Sequence, residues 1–246
     1  MQINKDMTYI LKVSYDGSYF SGYAKQTENI VTVQSELEKA LSELFKTNIK
    51  VIASGRTDKY VHALDQTVSF KSSTAINAED VKKYLNSKLK HIYIKSAELT
   101  DKEFSARFSI KSKTYMYVIN TGSFDLFRQN YEYQYNKHLN IEKAKEILKL
   151  FIGTKNFLSF STSSLENTIR TVNWIKILKR KNKIFIFING TGFLRNMVRM
   201  IVATIIKYCE QKIDYNHILF LFNNPKKGYS IDKAPGCGLY LYWTTY

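Results

Sequence analysis

The segment 193–212, FLRNMVRMIVATIIKYCEQK, constrains the fold more than any other stretch of the chain. Phe193, Leu194, Met197, Val198, Met200, Ile201, Val202, Ile205 and Ile206 cover most of a helical cylinder. A helix apolar nearly all round has to be buried. The spacing predicts one helix over 193–212, with Arg195 and Arg199 at i and i+4 on one face. A buried guanidinium without a partner is costly. Such an arginine needs a carboxylate or phosphate from elsewhere, or it must run its stem out to water. The helix itself supplies no anion beside them, since its one acidic residue, Glu210, lies about three turns beyond Arg199.

The partners for that helix come from alternating and helical patterns in both halves of the chain. Residues 8–15, TYILKVSY, place Tyr9, Leu11, Val13 and Tyr15 on one face, which is strand periodicity, and Asp16-Gly17 then signals a turn. From Val33 the period changes. Val33, Leu37, Leu41 and Leu44 form a stripe that predicts a helix over 33–46, with Thr32 as N-cap. Strands are expected at 50–54, 63–72 and 92–99, and a helix at 77–89 with Asn77 as cap and Glu79 and Asp80 in its first turn. The second half follows a similar plan. A strand at 113–120 precedes a helix at 140–153 that stops near Gly153. Strands at 171–180 and 183–190 flank Lys181-Asn182, a hairpin tip, and a strand at 238–246 closes the chain. This order describes an α+β protein. No literal repeat is visible. A boundary near 105–112 divides the chain into an N-terminal half, 1–108, and a C-terminal half, 109–246, expected to share one continuous sheet.

Charge narrows the class of partner. The chain of 246 residues has 37 Lys and Arg against 21 Asp and Glu, a net charge of +16. That excess points to a polyanion. The competing explanation is compositional: Lys, Ile and Asn are plentiful and Pro occurs only twice, as in an A/T-rich genome. Cys209 and Cys237 form no CxxC pair, and His62, His91, His138 and His217 lack metal-ligand spacing, so no metal site is expected. The first residues lack a long apolar signal core, and no apolar run is long enough to span a membrane. The expectation is a soluble cytoplasmic protein.

Residues 54–63 read SGRTDKYVHA, with Arg56, Thr57 and Asp58 side by side between a glycine and a histidine. A turn uses such residues, and so does an active site. Asp58 lies between two expected strands and also needs a partner. An Asp58–Arg199 pair spanning the halves would satisfy both groups and hold the carboxylate ionised, as a nucleophile or base requires.

Six segments, in order and over nearly the whole chain, now support a family resemblance: YDGSYFSGY (15–23), TVQSELEKAL (32–41), GRTDKYVHA (55–63), FSARFSIKSKTYMYVI (104–119), GFLRNMVRMIV (192–202) and APGCGLYL (234–241). The chain resembles the TruA-type tRNA pseudouridine synthases. The resemblance implies the pseudouridine synthase fold: two similar ferredoxin-like (RRM-like) halves with a mainly antiparallel sheet, helices on one side and a central basic cleft. It also implies a homodimer, no cofactor, and isomerisation of uridine to pseudouridine at positions 38 to 40 in the anticodon arm of tRNA. Carried over position by position, it makes Asp58 the catalytic aspartate, Tyr115 the aromatic that packs on the target base, and Arg199 the arginine that pairs with the aspartate. On residue pattern alone, Tyr115 reads as a core tyrosine of a strand, alternating with Tyr117 and Ile119.

This sequence also departs from the family. The aspartate is usually followed by Ala-Gly, and here by Lys59-Tyr60, which leaves the backbone shape of the loop open because glycine takes positive φ freely and tyrosine does not. The usual Trp-Gln of the first motif is Tyr23-Ala24, and the proline usual after NxxL is Lys90.

A uridine inside a stem must be flipped out to react, and aromatic and phosphate contacts offset the unstacking. Arg56, Lys59, Arg107, Arg170 and Arg195 are the candidates for phosphate. Lys59 also fits a solvated surface lysine, and Arg107 and Arg170 fit ordinary surface charge. His62 is a further candidate for RNA contact, against the alternative of a loop histidine held by backbone bonds. Two other functions remain: a catalytically silent RNA-binding paralogue, supported only by Lys59-Tyr60, and a single-strand RNA binder of two RRM-like halves. The latter lacks an RNP1 sequence.

Overall fold

The computed structural model describes residues 7–27, 29–100, 103–229 and 232–246. The chain forms two compact units, Met1–Lys111 with Leu241–Tyr246, and Ser112–Tyr240. Both are α+β.

In the first unit, β1 (Met7–Tyr15), α1 (Val33–Phe45), β2 (Ile52–Ala53), β3 (His62–Ser72), α2 (Ala78–Lys88) and β4 (Ile92–Thr100) follow one another as βαββαβ. β1 pairs antiparallel with β3 and β4, and β2 pairs antiparallel with β3, so the strands run in the order β4-β1-β3-β2. That is the split arrangement of the ferredoxin-like unit. Tyr9, Leu11 and Val13 are fully buried on one face of β1. Tyr9 stacks on Phe70 of β3 at 4.7 Å, and Phe45 of α1 meets both rings edge-on at 5.3 and 5.4 Å. The buried Tyr9 hydroxyl bonds both the carbonyl and the N–H of Ile76. Thr32 caps α1 through Ser35 in a reciprocal capping box, and Asn77 caps α2 by accepting from the Glu79 N–H, as their side-chain chemistry predicts.

The second unit repeats this logic. β5 (Ser112–Asn120), α3 (Ile141–Leu148), β8 (Ile169–Arg180), β9 (Lys183–Gly190) and α4 (Met197–Cys209) come in the same order as β1, α1, β2, β3 and α2. β9 lies between β5 and β8, as β3 lies between β1 and β2. The second unit also contains β6 (Tyr133–Gln134), beside β5, and β7 (Gly153–Asn156), beside β8. Neither β6, β7 nor α5 (Tyr215–Asn223) stands out in the sequence. The two strands are too short to show a period. In α5, capped by Asp214 accepting from the His217 N–H at 2.7 Å, the apolar residues form one continuous run, Ile218 to Phe222, which shows no helical period. The core gathers Ile184, Ile186 and Ile188 with Ile201, Val202 and Ile205 of α4, beside a cluster of Phe151, Phe157, Phe160 and Phe222. The chain ends in β10 (Leu239–Thr245).

Two expectations are corrected. The helix expected over 140–153 is α-helical only over Ile141–Leu148 and passes through a 3-10 turn, Lys149–Phe151, before Gly153 opens β7. The helix predicted over 193–212 begins only at Met197 and ends at Cys209. Asn196 stands before it at φ 62°, a left-handed conformation that interrupts the helical path. Asparagine is among the residues that tolerate this conformation, and here its amide also donates to the Thr162 hydroxyl, from a distant part of the chain, at 2.6 Å. Arg195 therefore lies outside the helix and shares no helical face with Arg199. It is exposed, with its carbonyl bound by the Thr162 N–H.

Candidate active site

The loop 54–61 is held from below by backbone and buried side chains. The Ser54 N–H donates to the Thr67 carbonyl at 2.9 Å, and the Gln66 amide donates to the Gly55 carbonyl at 2.6 Å. Thr57 is buried. Its hydroxyl bonds that of Tyr15 at 2.8 Å, and its carbonyl accepts from the Tyr23 N–H at 3.0 Å. Tyr23 is a buried residue beneath the loop, and burial pushes its phenol pKa well above the ordinary value. Two glycines bring the neighbouring segment close. A Cβ at Gly17 would lie 2.1 Å from the Val61 carbonyl oxygen, and Gly22, at φ 102°, passes against the Thr57 carbonyl. His62 is 2% exposed, and its Nδ1 accepts the Gly17 N–H at 3.1 Å with Asp16 Oδ1 3.3 Å away.

Above this frame the chain turns sharply. The Val61 N–H donates to the Asp58 carbonyl at 3.1 Å, closing a four-residue turn with Lys59 and Tyr60 at its centre. Only the second central residue, Tyr60, has positive φ, at 66°. That is the pattern of a type II turn, whose third position glycine ordinarily fills. Tyr60 takes a conformation that costs a residue with a side chain about 1 kcal/mol or more. Asp58 is half-buried, while Arg56, Lys59 and Tyr60 are exposed.

In the second unit, β5 places Lys113, Tyr115, Tyr117 and Ile119 on one face by simple alternation. Tyr115 is 7% exposed, and Phe193 meets its ring edge-on at 5.1 Å. Tyr117 donates to the Pro235 carbonyl at 2.7 Å, and burial raises its pKa well above the ordinary value. Arg199 is half-buried in the first turn of α4. Its Nε donates to the Ala234 carbonyl at 2.7 Å, its Nη1 donates to Asn196 Oδ1 at 3.2 Å, and its own carbonyl accepts from the Ala234 N–H. The guanidinium thus sits at the positive end of a helix, where an anion is favoured.

Lys113 and Arg170 form a further cationic pair. Burial, then the Arg170 charge, lowers the Lys113 pKa, and burial lowers that of Arg170. Arg170 donates to the carbonyls of Asn167 and Ile169 and lies over Gly192. Arg107, in the first unit, is exposed and lies 5.3 Å from the ring of Phe108, which is itself 80% exposed. Among the described residues, no group of three or more His, Cys, Asp or Glu is placed to hold a metal ion.

The comparisons with known proteins decide the family. The family model described as tRNA pseudouridine synthase matches residues 12–109 and 147–246. The chain belongs to the tRNA pseudouridine synthase family. A protein of Malacoplasma penetrans named tRNA pseudouridine synthase A is 65% identical over 98% of this chain and all of its own length. One of Ureaplasma parvum with the same name is 47% identical over 98% of this chain and likewise its whole length. Among solved structures, a Cbf5-Nop10-Gar1 complex chain matches 79% of this chain and 44% of its own at 10% identity, with a TM-score of 0.34, too loose a superposition to inform the fold. The synthase is therefore an isomerase acting on uridine in tRNA.

Several features of this synthase were not legible in its sequence. Lys113 carries no motif signal beyond its place two residues before Tyr115. Phe108 gives no sign of its exposure, and Phe193 reads as part of the apolar helix but lies ahead of α4, packed on Tyr115.

Proposed function

We propose that Asp58 is the catalytic carboxylate of this synthase, that Arg199 pairs with it and that Tyr115 packs on the target base. The observation that carries this reading is the loop itself. Thr57 is locked by Tyr15 and Tyr23 while the next residue, Asp58, is left only half-buried at the head of a closed turn. A rigid support under a presented carboxylate is what a positioned nucleophile or base requires. Arg199, at the positive end of α4, suits a carboxylate partner.

The reaction breaks the N1–C1′ bond of uridine, turns the uracil over and forms a bond from C5 to C1′, while C5 gives up a proton and N1 gains one. Asp58 attacks the sugar or the base, or removes a sugar proton. Tyr115 holds the detached uracil in place. No cofactor enters this scheme.

The target is read as the uridines at positions 38 to 40 of the anticodon arm. Arg56, Lys59, Arg107 and Arg195 are exposed cations suited to phosphate, and Arg170 joins them with Lys113. His62, buried against Gly17, is assigned to bracing the loop rather than to touching RNA. Binding is expected to weaken steeply with salt. Six phosphate contacts correspond to a fall of about four to five decades in affinity per tenfold rise in salt, and a flat dependence measured by filter binding would count against the assignment.

The synthase is further read as a cytoplasmic homodimer. Among the described residues no helix is long and apolar enough to cross a membrane. Phe124, Leu126 and Phe127, 59%, 59% and 89% exposed, offer an apolar surface of the kind that a second copy covers. Sedimentation equilibrium should give twice the chain mass, and a monomer at micromolar concentration would refute the dimer.

The activity assay is direct. Unmodified tRNA transcripts are incubated with the protein, and pseudouridine is mapped by carbodiimide labelling and primer extension. Product at the anticodon-arm uridines supports the target, and product confined to another arm overturns it.

A further inference from the structure

We propose that Tyr60, with Lys59 over one face of its ring, is a nucleobase-stacking residue that helps determine which tRNA strand segment this synthase accepts. The proposal rests on the Asp58 loop being the active-site loop.

Three observations meet at this residue. First, the turn position it fills is one that glycine occupies without strain, and Tyr60 holds φ 66° there. A bulky residue in that conformation persists where something over-determines it. Second, among the described residues no hydrogen bond or aromatic neighbour holds the ring, and Tyr60 is 44% exposed. Lys59 lies against it, with its Nζ 5.0 Å from the ring centroid. Third, the place is specific: Tyr60 is two residues beyond Asp58 in a turn closed by the Asp58 carbonyl and the Val61 N–H. The loop beneath cannot shift to bury the ring, because the Val61 carbonyl is packed on Gly17 and Thr57 is bonded on both sides.

An exposed aromatic ring with a cation over one face presents its other face to a planar π-system. Bases stack on aromatic side chains in a sequence-tolerant way, and an adjacent cation serves the phosphate. A flipped uridine leaves its neighbours unstacked. Tyr60 would take one of them, with Lys59 against the backbone. Glycine at this position offers no such surface, so the ring adds a contact to the strand beside the target.

The test uses the full chain in an Asp58→Asn background, so that affinity is read without turnover. Tyr60→Phe keeps the ring, Tyr60→Asn keeps a residue that tolerates the turn, and Tyr60→Gly removes both strain and ring. Each is bound to an anticodon-arm tRNA transcript at fixed salt. Each is also bound to the same RNA carrying 2-aminopurine beside the target uridine, whose fluorescence falls when it stacks. Thermal melts are run in parallel. The expected result is unchanged binding for Phe and about tenfold weaker binding for Asn and Gly, with loss of the added fluorescence quenching. Gly should melt no lower than the parent, so the weaker binding is not unfolding. Affinity within twofold for Asn and Gly, or quenching that does not depend on the ring, overturns the proposal. Failure of the active-site reading looks different: Asp58→Asn alone would still make product.

Discussion

Asp58→Asn is expected to lower pseudouridine formation by about four orders of magnitude or more, as removal of a reacting group does in other enzymes, while tRNA affinity stays within a few-fold. The substitution is nearly isosteric, and backbone and neighbouring side chains hold the loop as well. Its turn is closed by the Asp58 backbone carbonyl, and its support comes from Thr57, Gly55 and Ser54. Folding and RNA binding should therefore survive a change that removes a nucleophile or base. Single-turnover assays with excess protein separate the two readouts, because a binding defect is overcome by concentration and a chemical defect is not. Turnover near the parent rate would refute Asp58 as the reacting carboxylate. Loss of binding together with loss of product would instead make Asp58 a residue of loop structure.

The second large effect concerns stability. Asp65, on β3, is 2% exposed and bridges two lysines at 2.9 Å, Lys12 through one carboxylate oxygen and Lys95 through the other. Lys12 also donates to the carbonyl and hydroxyl of Thr244 and lies 4.9 and 5.4 Å from the ring centroids of Tyr246 and Trp243. The Thr244 hydroxyl bonds Thr67 and the Asp65 carbonyl. This cluster ties the last residues of the chain to the first unit. Asp65→Ala leaves the Lys12 ammonium, whose side chain is 15% exposed, without its counter-charge. Breaking such a pair from one side costs about 3 kcal/mol, and that corresponds to a melting temperature roughly 6–12 °C lower for a chain of this size. Adding Lys12→Met should recover part of the loss, since the uncompensated charge goes with it. Calorimetry checks both variants. A melt for Asp65→Ala within about 2 °C of the parent would mean that water solvates Lys12 well enough for the pair to contribute little.

Local signals located many elements well. The alternation of Tyr9, Leu11 and Val13, the stripe from Val33 to Leu41, and the caps Thr32 and Asn77 all appear where side-chain chemistry puts them. Each depends on neighbours within a few residues, and a sequence displays such neighbours directly. The start of α4 was misplaced for the same reason. Phe193 and Leu194 continue the apolar pattern, but Asn196 adopts a left-handed backbone in company with Thr162, a residue 34 positions earlier that no local pattern can reveal. Arg195 left the helical face with it.

The sequence by itself determined the α+β class, most of the strands and helices, the basic charge and, through six collinear motifs, the family. Those properties follow from short-range periodicity, composition and residue identity. Tertiary structure decided the rest. It made Tyr60 hold a glycine's place in the turn, buried His62 against Gly17, brought Lys113 beside Arg170, and set Asp65 between Lys12 and Lys95 under the C-terminal strand. Each of these depends on atoms from distant parts of the chain meeting within a few ångströms, where burial and charge act on groups that the sequence leaves far apart.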